Sequence, residues 1–365
     1  MTLLEVEDLR VTFPTEDGLV RAVDGITYSV DTGKTLGIVG ESGSGKSVSS
    51  LTTLGLTRAR NTTISGEILF DGEDLNAMSQ DRLRKIRGND IAMIFQDPLS
   101  SLHPFYKVGW QLVEAMRTHQ NISKAVGRKK AVELLELVGI PDPRKRVDQF
   151  PHEFSGGMRQ RAMIAMALSN EPKLLIADEP TTALDVTVKA QILALLDDLQ
   201  RRLGMAIIII THDLGVVAET ADEIGVMYAG RIVEHGTSQQ IFGAPQHPYT
   251  WGLLQSIPRL TRARDQELVP ISGRPPSLIN RPSGCFFHPR CPYVREAHKR
   301  IDPKLEALDG DTGHEVACLL EPEVRTRIWR GLQEGRSPAE LRQVAEPVAA
   351  ARAAEVVPLA EGGDE

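Results

Sequence analysis

The chain has 365 residues, of which 41% are hydrophobic and 25% are charged, a balance that excludes collagen-like and wholly disordered proteins. The net charge of −7 argues against a protein that coats the nucleic-acid backbone, since such proteins usually carry a basic surplus. No apolar run approaches the roughly 20 residues that cross a bilayer. The first residues also lack a basic segment, so we expect neither a membrane span nor a signal peptide.

Strand-like and helix-like stretches alternate along residues 1–256. The strand-like stretches are short and rich in β-branched residues, and they cover residues 6–13, 26–30, 35–39, 91–95, 174–177 and 206–210. The later ones are apolar on both faces, which is typical of parallel strands covered by helices. We therefore predict an α/β domain over residues 1–256, with a helical subdomain inserted at about residues 97–165.

The composition changes after about Ser256. Residues 257–320 carry eight prolines and all three cysteines, and predict a small, loop-rich appendage with short strand-like pieces such as residues 269–271. Residues 321–365 predict a C-terminal helix and then a tail, because residues 344–365 have a net charge of −4 and no aromatic side chain, which is typical of disorder. An odd number of cysteines argues against a disulfide framework.

A phosphate-binding pattern lies between a predicted strand and a predicted helix. Residues 40–47 match G-x-x-x-x-G-K-[ST], in which glycines let backbone N–H groups turn toward an anion and the helix directs its positive end there. Lys46 can reach the β- and γ-phosphates, and Ser47 can bind Mg²⁺. We expect the whole loop to contact nucleotide, namely Gly40, Glu41, Ser42, Gly43, Ser44, Gly45, Lys46 and Ser47.

Polar side chains follow three of the predicted strands, and their chemistry is suited to hydrolysing a phosphate bound at residues 40–47. Asp178 and Glu179 end the strand at residues 174–177; we expect Asp178 to hold Mg²⁺ and Glu179 to act as the general base toward water. His212 follows the strand at residues 206–210 and is expected to contact the γ-phosphate and align Glu179 with the water. Gln96 ends the strand at residues 91–95 and is expected to link Mg²⁺ and water to the helical subdomain.

A second candidate anion site precedes another apolar helix. Ser155, Gly156 and Gly157 stand at the helix start, where a serine cap and flexible glycines favour phosphate binding. We call this phosphate-binding segment, residues 155–157, the second cradle, the first being the loop at residues 40–47. One nucleotide site does not need two such segments. A head-to-tail dimer would use both, because each chain's second cradle could close over the nucleotide of the other chain.

In this order, the motifs resemble those of the ATPase subunits of ATP-binding cassette (ABC) transporters. The resemblance covers about residues 3–256 and makes residues 40–47 Walker A, Gln96 the Q-loop, Ser155–Met158 the signature, Asp178 and Glu179 Walker B, Asp185 the end of the D-loop, and His212 the H-loop. The signature reads Phe-Ser-Gly-Gly-Met where the family has Leu-Ser-Gly-Gly-Gln. The resemblance implies the P-loop NTPase fold, two Mg-ATP molecules between two cassettes, and an aromatic side chain stacked on adenine, either Phe13 or its rival Tyr28.

Further segments resemble dipeptide and oligopeptide importers, notably residues 95–104, 247–254 and 273–318. This resemblance implies a subunit at the cytoplasmic face of the cell membrane that works with two permease subunits, a second related ATPase or a second copy, and an extracytoplasmic solute-binding protein, and with no nucleic acid. An importer of nickel, glutathione or another small solute is the alternative. A soluble ABC ATPase acting on DNA or ribosomes is less favoured, because the chain has one cassette and no coiled-coil insert.

The cysteines leave three alternatives open. In that subfamily the appendage often carries four cysteines, and some members hold a [4Fe-4S] cluster there; Cys285, Cys291 and Cys318 match three of them, and His298 takes the fourth place. Three cysteines with one histidine could bind a cluster or tetrahedral zinc, although His288 and His314 are close enough in sequence to compete. The third alternative is a site without metal that keeps reduced thiols.

Overall fold

The computed structural model describes residues 1–96, 101–181, 185–256, 270–308 and 311–345. The strands are β1 (Thr2–Thr15), β2 (Gly18–Asp31), β3 (Thr35–Val39), β4 (Thr63–Phe70), β5 (Glu73–Asp74), β6 (Ile91–Ile94), β7 (Leu174–Asp178), β8 (Ala206–Thr211), β9 (Glu223–Tyr228), β10 (Arg231–Thr237), β11 (Glu306–Leu308) and β12 (Asp311–Val316). The α-helices are α1 (Lys46–Thr53), α2 (Gln80–Ile86), α3 (Val108–His119), α4 (Lys124–Leu137), α5 (Pro143–Arg146), α6 (Gly156–Ala167), α7 (Val186–Leu203), α8 (Leu214–Thr220), α9 (Ser238–Gly243), α10 (Pro248–Gln255), α11 (Pro322–Gln333) and α12 (Pro338–Leu341).

The larger sheet has the strand order β11-β12-β10-β9-β3-β8-β7-β6. Its strands β9, β3, β8, β7 and β6 are parallel, and β3, β7 and β8 are buried along their whole length. The predicted parallel strands are thus confirmed, since strands buried on both faces need helices above and below. The carboxyl ends of β3, β6, β7 and β8 share one edge of the sheet.

The N-terminal strands form a separate antiparallel sheet with the order β2-β1-β4-β5. Strand β1 extends beyond the predicted residues 6–13 and has register shifts where it pairs with β2 and β4. Asp8 adopts a φ of 44° at one of these irregularities. Such bulges interrupt the two-residue alternation, which explains why the sequence pattern showed only part of the strand.

Helices α3 to α6 lie between β6 and β7 in the chain. They surround a hydrophobic core that includes Leu112, Met116, Leu135 and Ile164. Burying these side chains ties the inserted helices to the sheet edge formed by β6 and β7, because each fully buried aliphatic side chain contributes about 1.5–3 kcal/mol.

The appendage does not fold as an isolated loop module. Strand β12 pairs with β10 and so extends the larger sheet. Phe287 of the appendage and Trp329 of α11 share a core with Tyr249 and Trp251 of α10. Ile271 is not in a strand, contrary to prediction, because this segment packs against α10 through its side chain and not through a strand ladder. Residue 269 and the predicted tail after residue 345 lie outside the described residues.

Asp24 of β2 joins the appendage to the cassette. Its carboxylate accepts hydrogen bonds from Arg281 Nη1 at 2.5 Å, Arg231 Nε at 2.9 Å and Arg10 Nη1 at 2.8 Å. Burial alone would raise the pKa of Asp24, but the hydrogen bond from Arg231 and the charges of the three arginines outweigh it and hold that pKa below its ordinary value.

We expect Asp24→Asn to lower the free energy of unfolding by about 3 kcal/mol, since it leaves three arginines around an uncharged side chain. The contribution of the ionised Asp24 carboxylate to the free energy of unfolding is fully present above the ordinary aspartate pKa of about 3.9. It is lost as the pH falls toward the lowered pKa of Asp24 in the folded state. Urea unfolding at pH 7 and pH 3 measures both effects. An equal wild-type advantage at the two pH values would contradict the assignment.

Candidate nucleotide site

Residues 40–45 form the loop between β3 and α1, and Lys46 and Ser47 begin α1. At Gly45 the backbone φ is +103°, and an added Cβ would lie 2.2 Å from the Ala22 carbonyl oxygen, so only glycine fits. Lys46 folds back over the loop, and its Nζ donates to the carbonyl oxygens of Gly40 at 2.7 Å and Glu41 at 2.9 Å. The loop is therefore already curved around the lysine that the sequence assigns to phosphate binding.

Lys46 is a buried cation among acidic groups. Burial lowers its pKa, while the charges of Glu179, Asp178 and Glu41 act in the opposite direction. An ammonium group held in this position, at the start of a helix, attracts an anionic ligand more strongly than a solvated one would.

Asp178 ends β7 and has the properties of a magnesium ligand. Its Oδ1 atom is buried without a hydrogen-bond partner among the described residues. Burial raises the pKa of Asp178, although its hydrogen bond with Ser47 opposes that shift. A buried carboxylate oxygen without a partner, beside a hydroxyl group, matches the oxygen ligands that Mg²⁺ prefers, so the residues present fit the ion.

Glu179 brings together the side chains predicted for hydrolysis. Its Oε2 accepts from Gln96 Nε2 at 3.0 Å, and its Oε1 lies 3.0 Å from His212 Nδ1. The three residues follow β6, β7 and β8, which are neighbours in the sheet. Glu179 itself has a φ of 49°, a conformation that costs free energy in a non-glycine residue and that is common at functional sites.

A cleft of about 630 Å³ opens at this edge of the sheet. One side is formed by the phosphate loop with Gln96, Glu179 and His212, and the appendage contributes Pro270 and Ile271. The appendage thus forms part of the wall of the nucleotide cleft, a placement that the sequence did not indicate.

The second cradle lies apart from this cleft. Ser155 Oγ caps α6 by accepting from the Met158 N–H at 3.3 Å, and nothing lies within 4 Å of the place where a Cβ of Gly156 would be. Neither these residues nor Gly157 line the cleft as the described part of the chain forms it. The cradle is therefore open toward the outside of its own cassette.

Two further contacts support the cradle. Asp185 caps α7 by accepting from the Val188 N–H at 2.9 Å; the rest of the predicted D-loop, residues 183 and 184, lies outside the described residues. Gln160 of α6 donates to the Pro180 carbonyl oxygen at 2.6 Å, which links the cradle to the residue after Glu179. Sequence reasoning missed Gln160, because nothing in the motif shows that its amide faces the end of β7.

The two aromatic candidates differ in exposure. Tyr28 is 6% exposed, and burial raises the pKa of its hydroxyl to about 12, with a hydrogen bond to Thr53 opposing. Phe13 is half-buried on β1. A ring enclosed in the core cannot stack on a ligand, so the structure favours Phe13.

The three cysteines lie in the hydrophobic core that contains Tyr249, Trp251 and Phe287. Burial raises the pKa of all three thiols, that of Cys318 to about 12, and the neighbouring thiols add to the shift at Cys291 and Cys318. His314 is paired with Glu234 at 2.8 Å and His288 with the Cys285 carbonyl oxygen at 2.9 Å. His298 Nε2 is buried without a partner, yet within the described ranges no group of three or more His, Cys, Asp or Glu side chains is arranged to hold a metal ion. The described residues thus show no formed metal site, and the [4Fe-4S], zinc and metal-free alternatives for Cys285, Cys291, His298 and Cys318 stay predictions.

Both the cassette and the appendage are similar to known proteins. Residues 23–182 match the family model described as ABC transporter, and residues 233–297 match the one described as oligopeptide/dipeptide transporter, C-terminal region. The oligopeptide transport ATP-binding protein OppD of Bacillus subtilis is 54% identical over 88% of this chain and 90% of its own length. The dipeptide transport ATP-binding protein DppD of Escherichia coli is 50% identical over 84% of this chain and 94% of its own length. The chain belongs to this family of ABC transporter ATP-binding proteins.

Solved structures agree with the family assignment. This ABC ATPase resembles the ATP-binding cassette MJ0796 in a dimeric post-hydrolysis state with ADP and Pi, at 26% identity and a TM-score of 0.58 over 65% of this chain and 99% of the other. It also resembles cbiO1 of Clostridium perfringens, at 31% identity and a TM-score of 0.57 over 67% and 91% of the two chains. The predicted family and P-loop fold are confirmed.

Among the described helices, none has the length and apolarity needed to cross a bilayer.

Proposed function

We propose that this ABC ATPase hydrolyses ATP to energise the import of dipeptides and oligopeptides, and that it does so at the cytoplasmic face of the cell membrane. The contact of Gln96 and His212 with Glu179 at the mouth of the phosphate loop carries the hydrolytic part of the proposal. The relatives named for oligopeptide and dipeptide transport support the proposal that the transported solute is a peptide, because their similarity to this chain extends through the appendage.

Each residue of the cleft has a role in the proposed reaction. The loop at residues 40–47 and Lys46 bind the phosphates, Phe13 stacks on the base, and Ser47, Gln96 and Asp178 would hold Mg²⁺, which when bound neutralises charge on the phosphates. Glu179 accepts a proton from the attacking water. Gln96 and His212 keep the Glu179 carboxylate in place, so that it meets the water without reorientation.

The second cradle supports the proposal of a second ATPase as the partner of this cassette. Ser155, Gly156 and Gly157 face away from their own cleft, and we propose that they close over the nucleotide of a second ATPase, either a related chain or a second copy. Asp185 would lie at the same contact. The dimeric state of the cassette MJ0796 supports this arrangement.

An apolar groove of about 700 Å³ provides a surface for the two permease subunits. It is lined by Leu56, Phe95, Met163 and Met166, among others. Phe95 is 41% exposed and directly precedes Gln96. A permease segment in this groove would therefore act on the residue that contacts Glu179, which couples closure to hydrolysis. An extracytoplasmic solute-binding protein would deliver the peptide.

Purification of the tagged chain from gently solubilised native membranes tests this proposal. We expect mass spectrometry to identify two permeases, a second cassette ATPase and a solute-binding protein that binds peptides. Recovery only from the soluble fraction, with ribosomes or DNA, would contradict the proposed role in transport. A binding protein selective for nickel or glutathione would show that this solute, and not a peptide, is transported.

Phe95→Glu should abolish recovery of the permeases, because it places a charge in the apolar groove. Leu203→Glu is the matched control, since Leu203 has the same exposure of 41% and lies at the end of α7. Loss of the permeases from both variants would contradict the placement of the docking surface.

A further inference from the structure

We infer that Arg290 of the appendage is a positioning residue for the phosphate loop: it fixes and neutralises Glu41 and thereby raises the affinity of the cleft for nucleotide polyphosphates. The inference rests on the proposed nucleotide site. It gives the appendage a direct part in nucleotide binding.

The contact joins residues that are 249 positions apart. Arg290 Nη1 donates to Glu41 Oε2 at 2.6 Å, and Nη2 donates to Oε1 at 2.9 Å. The Arg290 side chain is 4% exposed and that of Glu41 is 29% exposed. Two parallel hydrogen bonds from a planar guanidinium fix both the position and the orientation of a carboxylate, so this contact does more than a surface ion pair.

Arg290 is itself held independently of Glu41. Its Nε donates to the Ser272 carbonyl oxygen at 3.0 Å, and its guanidinium carbon lies 5.8 Å from the centre of the Tyr228 ring. Phe287, three residues earlier, packs against Tyr228 and Tyr249 with ring centroids 5.3 Å and 5.5 Å apart. Arg290 is therefore held beside the core around Tyr228 and Phe287 by contacts that do not involve Glu41.

The backbone of Glu41 is fixed from the same core. Its N–H donates to the Tyr249 hydroxyl at 2.8 Å, and its carbonyl oxygen accepts from Lys46 Nζ at 2.9 Å. One loop residue is thus held through its side chain, its N–H and its carbonyl group. Movement of the appendage would move the second residue of the phosphate loop and, through it, Lys46.

Arg290 also neutralises the negative charge of Glu41. A lone carboxylate in this loop would repel the phosphates that the loop is built to bind. Arg290 removes that repulsion, and it remains charged: although burial disfavours the cation, the hydrogen bonds and the charge of Glu41 outweigh it and hold the pKa of Arg290 above its ordinary value.

Binding of Mg-ATP to the full chain, followed by calorimetry, tests the inference. We expect Arg290→Met to weaken binding roughly tenfold, the scale of one charge-assisted hydrogen bond, and Arg290→Lys to weaken it by roughly threefold, since it keeps the charge and loses the planar pairing. Arg281→Met is the matched control: it also removes a buried appendage arginine, 6% exposed and paired with Asp24 of the cassette, but one that makes no contact with the loop in the described structure. Its affinity should stay within twofold of wild type.

A second-site variant separates the charge effect at Glu41 from general destabilisation. Adding Glu41→Gln to Arg290→Met should recover most of the lost affinity, because the unpaired negative charge is removed, while the melting temperature stays lowered. Equal affinities for Arg290→Met and Arg281→Met, or no recovery in the double variant, would overturn the inference. Wild-type binding that is insensitive to Lys46→Met would instead reject the proposed nucleotide site itself.

Discussion

We expect Glu179→Gln to lower ATP turnover by roughly 100- to 1,000-fold while leaving Mg-ATP binding within about threefold of wild type. Glutamine has the shape of glutamate and can still contact Gln96 and His212, which lie 3.0 Å from the two carboxylate oxygens. It cannot accept a proton from water. The phosphate loop is untouched, so the effect should appear in turnover and not in affinity.

The measurement is phosphate release at saturating ATP, with nucleotide binding determined on the same preparation. Glu219→Gln, on the exposed face of α8, is the matched control and should hydrolyse ATP at the wild-type rate. Turnover of Glu179→Gln near that rate would remove Glu179 as the general base and leave the water to another group in the cleft.

We expect Lys46→Met to weaken Mg-ATP binding by about 100-fold, the equivalent of one or two charge-assisted hydrogen bonds. The Lys46 ammonium donates to loop carbonyl oxygens, and a bound triphosphate would replace or share these contacts. Methionine fills the same apolar volume without the charge. The loop shape should survive, since it is set by glycines such as Gly45.

Equilibrium titration with a fluorescent ATP analogue measures this loss. Lys34→Met is the control, because Lys34 forms an exposed ion pair with Asp222, with side-chain exposures of 59% and 40%, and such pairs contribute little. Wild-type affinity in Lys46→Met would show that the nucleotide binds elsewhere.

The metal-ligand role of the cysteines stays a prediction from the sequence resemblance. Spacing placed Cys285, Cys291, His298 and Cys318 together as a ligand set, and the thiols do belong to one core. Whether side chains converge on one point depends on their rotamers and on the backbone between them, which spacing does not encode. In the described residues these groups are buried among apolar side chains without a metal-binding arrangement.

Sequence reasoning alone could predict the phosphate loop, the parallel strands and the carboxylates at the end of β7. All of these depend on neighbours in the chain: eight consecutive residues shape the loop, and short apolar runs predict buried strands. The edge at which Gln96, Glu179 and His212 meet followed from the same reasoning, because parallel strands end on one side.

How the appendage meets the cassette could be seen only in the assembled fold. Arg290 reaches Glu41 and Arg281 reaches Asp24 across 249 and 257 positions of sequence. These outcomes result from packing between distant segments, where burial and charge pairing act across space. Local backbone preferences specify an element, whereas the contacts between elements are settled only when the whole core is assembled.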